Sequence, residues 1–74
     1  MNVERLIAMA NDIANFFAAE SERDVAIEGV SNHLRKFWEP RMRKQIVAHV
    51  QAHGAAGLSA LASAAVTRLA ETER

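Results

Sequence analysis

Apolar residues recur along almost the whole chain at the spacing of an α-helix, and this period leaves little room for any fold that is not all-α. At about 100° per residue, Val3, Leu6, Ala10, Ile13, Ala14 and Phe17 fall on one stripe of a first segment, about Val3 to Ala19. Ile7 widens the stripe on one side, and Met9 and Phe16 widen it on the other. The apolar side covers about half the circumference, more than one neighbouring helix needs. Glu4, Asn11, Asp12 and Asn15 take the opposite face.

The polar run Ala19-Glu20-Ser21-Glu22-Arg23-Asp24 reads as a turn, with Ser21 or Asp24 as the cap of the next helix. That second helix is expected over about Asp24 to Phe37, with Ile27, Val30, Leu34 and Phe37 inward. Gly29 weakens it by up to about 1 kcal/mol in propensity, and its missing side chain suits a close helix–helix approach. The one proline of the chain, Pro40, follows. The residue before a proline avoids helical geometry, while proline itself suits the first turn of a helix. Trp38-Glu39 is therefore expected to form a tight corner, with a third helix from Arg41 to about His53; one kinked helix is the alternative. Met42, Ile46, Val47 and Val50 are its inward positions, and Gly54 and Gly57 mark its end. A fourth helix is expected over about Leu58 to Thr72, with Leu58, Leu61, Ala62, Ala65, Val66 and Leu69 on one face. The expectation is a small bundle of about four short helices with a proline corner at Trp38-Pro40, residues 1–74 forming one helical domain.

With 74 residues and no cysteine, disulfides, thiolate zinc sites, iron–sulfur ligation and cysteine nucleophiles are excluded. A core this small usually gains support from a metal or a partner. No apolar run approaches the roughly 20 residues of a membrane span, and the first residues carry acids rather than a secretory apolar block. These features point to a cytoplasmic protein with no membrane association.

The formal net charge is zero, but the charge is unevenly placed. Residues 1–30 hold six acids and two bases, net −4, whereas residues 31–50 hold Arg35, Lys36, Arg41, Arg43 and Lys44 against Glu39, net +4. The basic block 35–44 straddles a helix–corner–helix, about where a helix-turn-helix presents its second helix to DNA. A nucleic-acid-binding regulator is thus one reading. The neutral whole chain and the apolar Phe37, Trp38 and Met42 inside the block argue against it.

No arrangement for catalysis stands out. The acids fall on solvent faces, and the sequence has no glycine-rich phosphate loop and no G-x-S-x-G run. His49 and His53, at i and i+4, share a helix face, and His33 is a candidate third ligand. They lack an HExxH glutamate, and the pair reads better as partly exposed histidines at a helix C-terminus, where positive charge is favoured. No catalytic, cofactor-binding or metal residue is assigned.

The densest interface-type composition lies in Phe37-Trp38-Glu39-Pro40-Arg41-Met42-Arg43, which holds the only tryptophan and the only proline. Tryptophan, arginine, phenylalanine and methionine are enriched in protein interfaces, and tryptophan and arginine dominate their energetics. The partner-binding candidates are Trp38, Pro40, Arg41, Met42, Arg43 and Arg35. Within the pair, Phe37 is read as a core plug at the corner and Trp38 as turned to a partner.

The run His33-Leu34-Arg35-Lys36-Phe37-Trp38-Glu39-Pro40-Arg41-Met42-Arg43 resembles the central signature of the delta subunit of NAD-dependent formate dehydrogenase. Leu6-Ile7-Ala8-Met9-Ala10-Asn11-Asp12-Ile13-Ala14, followed by Phe16-Phe17, resembles the opening helix of that family, and Gly57-Leu58-Ser59 with the alanine-rich helix after it fits more loosely. Lys36 and Glu39 stand where arginine and aspartate are common. The resemblance implies a non-catalytic accessory subunit of a cytoplasmic complex, with no cofactor of its own. The complex it implies holds a molybdenum or tungsten pyranopterin and iron–sulfur clusters in its alpha subunit, FMN and an NAD site in beta, and further clusters in gamma. The implied partners are those larger subunits, alpha foremost. Self-association of the isolated chain, and a role in assembly, stability or activity, are left open.

Overall fold

The structure is a computed structural model that describes residues 2–73. Four helices follow one another: α1 (Val3–Phe17), α2 (Arg23–Phe37), α3 (Pro40–His53) and α4 (Ala60–Thr72). The described residues contain no strand. The expected all-α bundle with a proline corner is the observed architecture, and no helix among the described residues is long and apolar enough to cross a membrane.

Local chemistry explains most boundaries. The Asn2 side chain accepts from the Arg5 amide at 2.8 Å and caps α1. Ser59 does the same for α4, accepting from the Ala62 amide at 3.1 Å. That places the start of α4 two residues later than the apolar pattern alone suggests, because the capping residue takes extended geometry and Leu58 precedes it. Neither Ser21 nor Asp24 caps α2; Glu22 stands at that position without a side-chain bond. Pro40 is itself the first residue of α3, its fixed φ and missing donor costing nothing there. Trp38 and Glu39 are both extended, so the chain breaks into two helices rather than one kinked helix. Gly54 ends α3 at φ +74°, a conformation that side chains with a Cβ rarely adopt.

One core joins all four helices. Leu6, Ala10 and Ala14 enter it from α1, Ala26, Val30 and Leu34 from α2, Ile46 from α3, and Leu61, Ala62, Ala65, Val66 and Leu69 from α4. The α4 stripe matches its sequence period; its alanines let α4 lie close against α2, the most extensive helix pairing. In α3 only Ile46 is fully buried, while Met42, Val47 and Val50 are half-buried against the same core. Gly29 accepts the ring of Phe17, whose nearest atoms lie 2.6 Å from where a Cβ would stand. At the corner α3 turns away from α2 to pack on α4 and α1.

Candidate functional site

The turning of α3 decides what the corner buries. Helical phase would align Phe37 with Val30 and carry it inward. Phe37 nevertheless stays outside, 71% exposed, while Leu34 in the same turn is fully buried and Arg35 reaches Thr72 of α4. Trp38 lies past the helix end, with φ −87° and ψ 139°, and this extended backbone swings its indole into the core, where it is 5% exposed. The expected roles of the two aromatic neighbours are thus exchanged. Phe37 is the surface residue, Trp38 the plug, and the expectation that Trp38 turns to a partner is corrected by its burial.

Arginine placement is equally specific. Arg43 reaches back from α3 to the end of α2, donating to the Trp38 carbonyl at 2.7 Å and to the Arg35 carbonyl at 3.2 Å. These carbonyls belong to the last turn, where intrahelical donors run out and a cation is favoured. Its Nε also donates to Glu73 at 2.7 Å. Arg43, predicted to face a partner, therefore clamps the corner and ties it to the end of α4. Arg35 donates to Asn32 at 2.7 Å and, over 3.4 Å, to Thr72. Met42 is half-buried against the core. Of the six candidates, Pro40 and Arg41 alone are exposed. The basic block is likewise divided. Arg35 and Arg43 serve the fold, Lys44 lies along a cleft of α3 and α4 with Arg43 and Glu73, and the row of cations a phosphate backbone would meet is broken up.

A second region was not singled out from the sequence. Phe16 is 79% exposed and meets Phe17 edge-to-face, with ring centroids 5.2 Å apart. Both rings line a cleft of about 310 Å³ with Asp12, Ile13 and His33. His33 in turn lies against Phe37, their ring centroids 4.7 Å apart. An aromatic face thus runs from the end of α1, across His33, to the end of α2. Two signals for it were present in the sequence: the apolar side of the first helix is too broad for one neighbour, and His33 and Phe37 stand at i and i+4.

Asn11 is a further residue that sequence reasoning left on the solvent face. Its side chain donates to the Gly57 carbonyl at 2.8 Å and accepts from the Ser59 amide at 2.9 Å, fastening the α3–α4 loop to α1. His49 and His53 sit side by side with ring centroids 5.2 Å apart, and Nε2 of His49 is covered without a hydrogen-bond partner. Among the described residues no three side chains of His, Asp or Glu come together as a metal-binding group.

The family model for the NADH-dependent formate dehydrogenase delta subunit, FdsD, matches residues 5–66. No curated protein and no solved structure matches the chain. The match spans most of the sequence, including the Asn11 clamp, the Trp38–Pro40 corner and the aromatic face, and the chain belongs to that family.

Proposed function

We propose that this delta-subunit chain is a non-catalytic accessory subunit that docks onto the larger subunits of a cytoplasmic formate dehydrogenase, alpha foremost, and supports the assembly, stability or activity of the complex. The family match over residues 5–66 carries this reading. The geometry supports it: the most exposed large apolar side chains among the described residues are two phenylalanines, on a face suited to contact rather than to enclosing a small substrate. In this reading the chain brings no redox cofactor of its own. The pyranopterin, clusters, FMN and NAD site belong to the larger subunits, and the chain's contribution is binding energy and surface.

Co-expression with the alpha, beta and gamma subunits tests the reading. The chain is expected to co-elute stoichiometrically with the complex on size exclusion and to show no formate oxidation by itself. Omitting it is expected to lower the yield, the thermal stability or the activity of the complex. Separate elution, or salt-sensitive retention on DNA in place of the enzyme, would overturn it.

A further inference from the structure

The four helices share one core, but they are not held to one another alike. Full burial falls on three residues of α1, four of α2 and five of α4, whereas α3 commits Ile46 alone. Both α1 and α4 pack along α2; α3 lies on α4 and α1 and does not pack along α2. The seam between α3 and α4 is incompletely filled. A cleft of about 270 Å³ lies among Val47, Val50, Val66 and Ala70, and a second of the same size runs beside it from Lys44 to Glu73.

Polar ties divide the helices in the same way. Asn11 fastens Gly57 and Ser59, and with them the start of α4, to α1. Arg68 on α4 pairs with Glu28 on α2 at 3.1 Å, and Arg35 on α2 reaches Thr72 on α4. These bonds cross-tie α1, α2 and α4. Among the described residues, the one α3 side chain that hydrogen-bonds outside its own helix is that of Arg43, to the Arg35 and Trp38 carbonyls and to Glu73. The chain on either side of α3 is suited to turning. Ahead of it, Trp38 is buried with the core while Glu39 is exposed and extended, and Pro40 starts the helix with a fixed φ. Behind it, Gly54 and Gly57 both have positive φ, and Asn11 holds only the far side of that loop, from Gly57 onward. Hinges are built from a few such positions at the ends of an element.

We infer that α3 is a hinged flap: it opens as a unit between Glu39 and Gly54–Gly57 while α1, α2 and α4 stay folded, and Arg43 is its latch. Few buried apolar contacts and a single set of polar bonds place an element at the low-stability end of a fold. Opening parts the three bonds of Arg43 together. It also bares Met42, Ile46, Val47 and Val50, an apolar surface that the closed form conceals or half-conceals. Because Arg43 and Glu73 are partly buried, salt screens their bond less than it would an exposed pair.

Native-state hydrogen exchange of the full chain tests this, followed amide by amide by NMR in rising urea below the unfolding midpoint. The amides of Ile46 to Val50 are expected to exchange at least about tenfold faster than the slowest amides of α1, α2 and α4. Their urea dependence is expected to be smaller, because opening one helix exposes less surface than unfolding four. Two substitutions separate a flap from general weakness. Arg43→Ala removes bonds that are lost in either kind of opening, so α3 and the other helices are expected to speed up alike, by roughly thirtyfold. Val30→Ala weakens α2, which stays folded behind an open flap. It is expected to speed exchange in α1, α2 and α4 by roughly tenfold and to leave Ile46 to Val50 within about twofold. If Val30→Ala fails to fold, Ala26→Gly, a milder change in the same helix, gives the same reading. One common rate and urea slope for all four helices, or equal speeding of α3 by the α2 substitution, would overturn the flap. Rapid exchange confined to the last amides of α3 would overturn it too, as fraying of a helix end. Exchange in α3 that Arg43→Ala leaves unchanged would overturn the latch.

Discussion

Phe37 and Trp38 are adjacent in sequence and nearly opposite in environment, one 71% and the other 5% exposed. On Trp38's side, the indole fills the end of the core, and Arg43 closes the turn above it by holding the Arg35 and Trp38 carbonyls and the Glu73 carboxylate. On Phe37's side, the ring has His33 for company and is otherwise largely open to solvent. The first side is an interior held by packing and by side chain–backbone bonds within the chain. The second is a surface whose aromatic groups are unused by the fold. The difference teaches that an interface-like composition marks where aromatic and cationic side chains gather, without saying which of them face outward.

Four substitutions break or sharpen that contrast. Trp38→Ala is expected to be the most damaging, since removal of a buried tryptophan costs about 3–5 kcal/mol. In a chain this short that loss approaches total stability, so thermal melting should show little folded protein at 37 °C; near-unchanged melting would mean the indole is not the plug of the corner. Arg43→Ala comes next, at about 2 kcal/mol, because its bonds are charge-assisted and two of them satisfy carbonyls at the end of α2. A fall of roughly 10 °C in melting temperature is the expected reading, and Arg43→Lys should recover only part of it, since an ammonium group lacks the guanidinium fork. Asn11→Ala removes both bonds that fasten the α3–α4 loop, and about 1 kcal/mol is expected. Faster amide exchange at Ser59 than at Leu6 would localise the effect. Phe37→Ala should cost under about 0.5 kcal/mol, as surface substitutions usually do. Measured in urea, a midpoint shift for Phe37→Ala as large as that for Asn11→Ala would erase the contrast between the two sides of the corner.

The fold itself was legible because it rests on local rules. A period of 3.6 residues, strong helix formers, a glycine stop and a proline start act within a few residues of one another, and each was present in the sequence. The resemblance in residues 33–43 and 9–14 also led to the correct family, since short motifs of unusual residues are read directly. The docking candidates were less legible. Arg43 and Arg41 look alike two positions apart, yet one donates to backbone carbonyls of α2 and the other is free at the surface. Only the path of α3 separates them.

By itself, then, the sequence determined that there are four helices with a break before Pro40, most of the stripes that enter the core, and which family the chain joins, because each depends on residue types at near-neighbour spacing. The tertiary structure alone decided the rest. After Pro40, α3 packs on α4 and α1 and the Phe37 side of α2's end stays open, so a position that helical phase places inside became an exposed ring. The extended backbone at Trp38 released that residue from helical phase and let it fill the space beneath. Asn11 gained its partners from a loop 46 and 48 residues away. Each outcome depends on which elements meet across the core, and a one-dimensional period carries no information about that meeting.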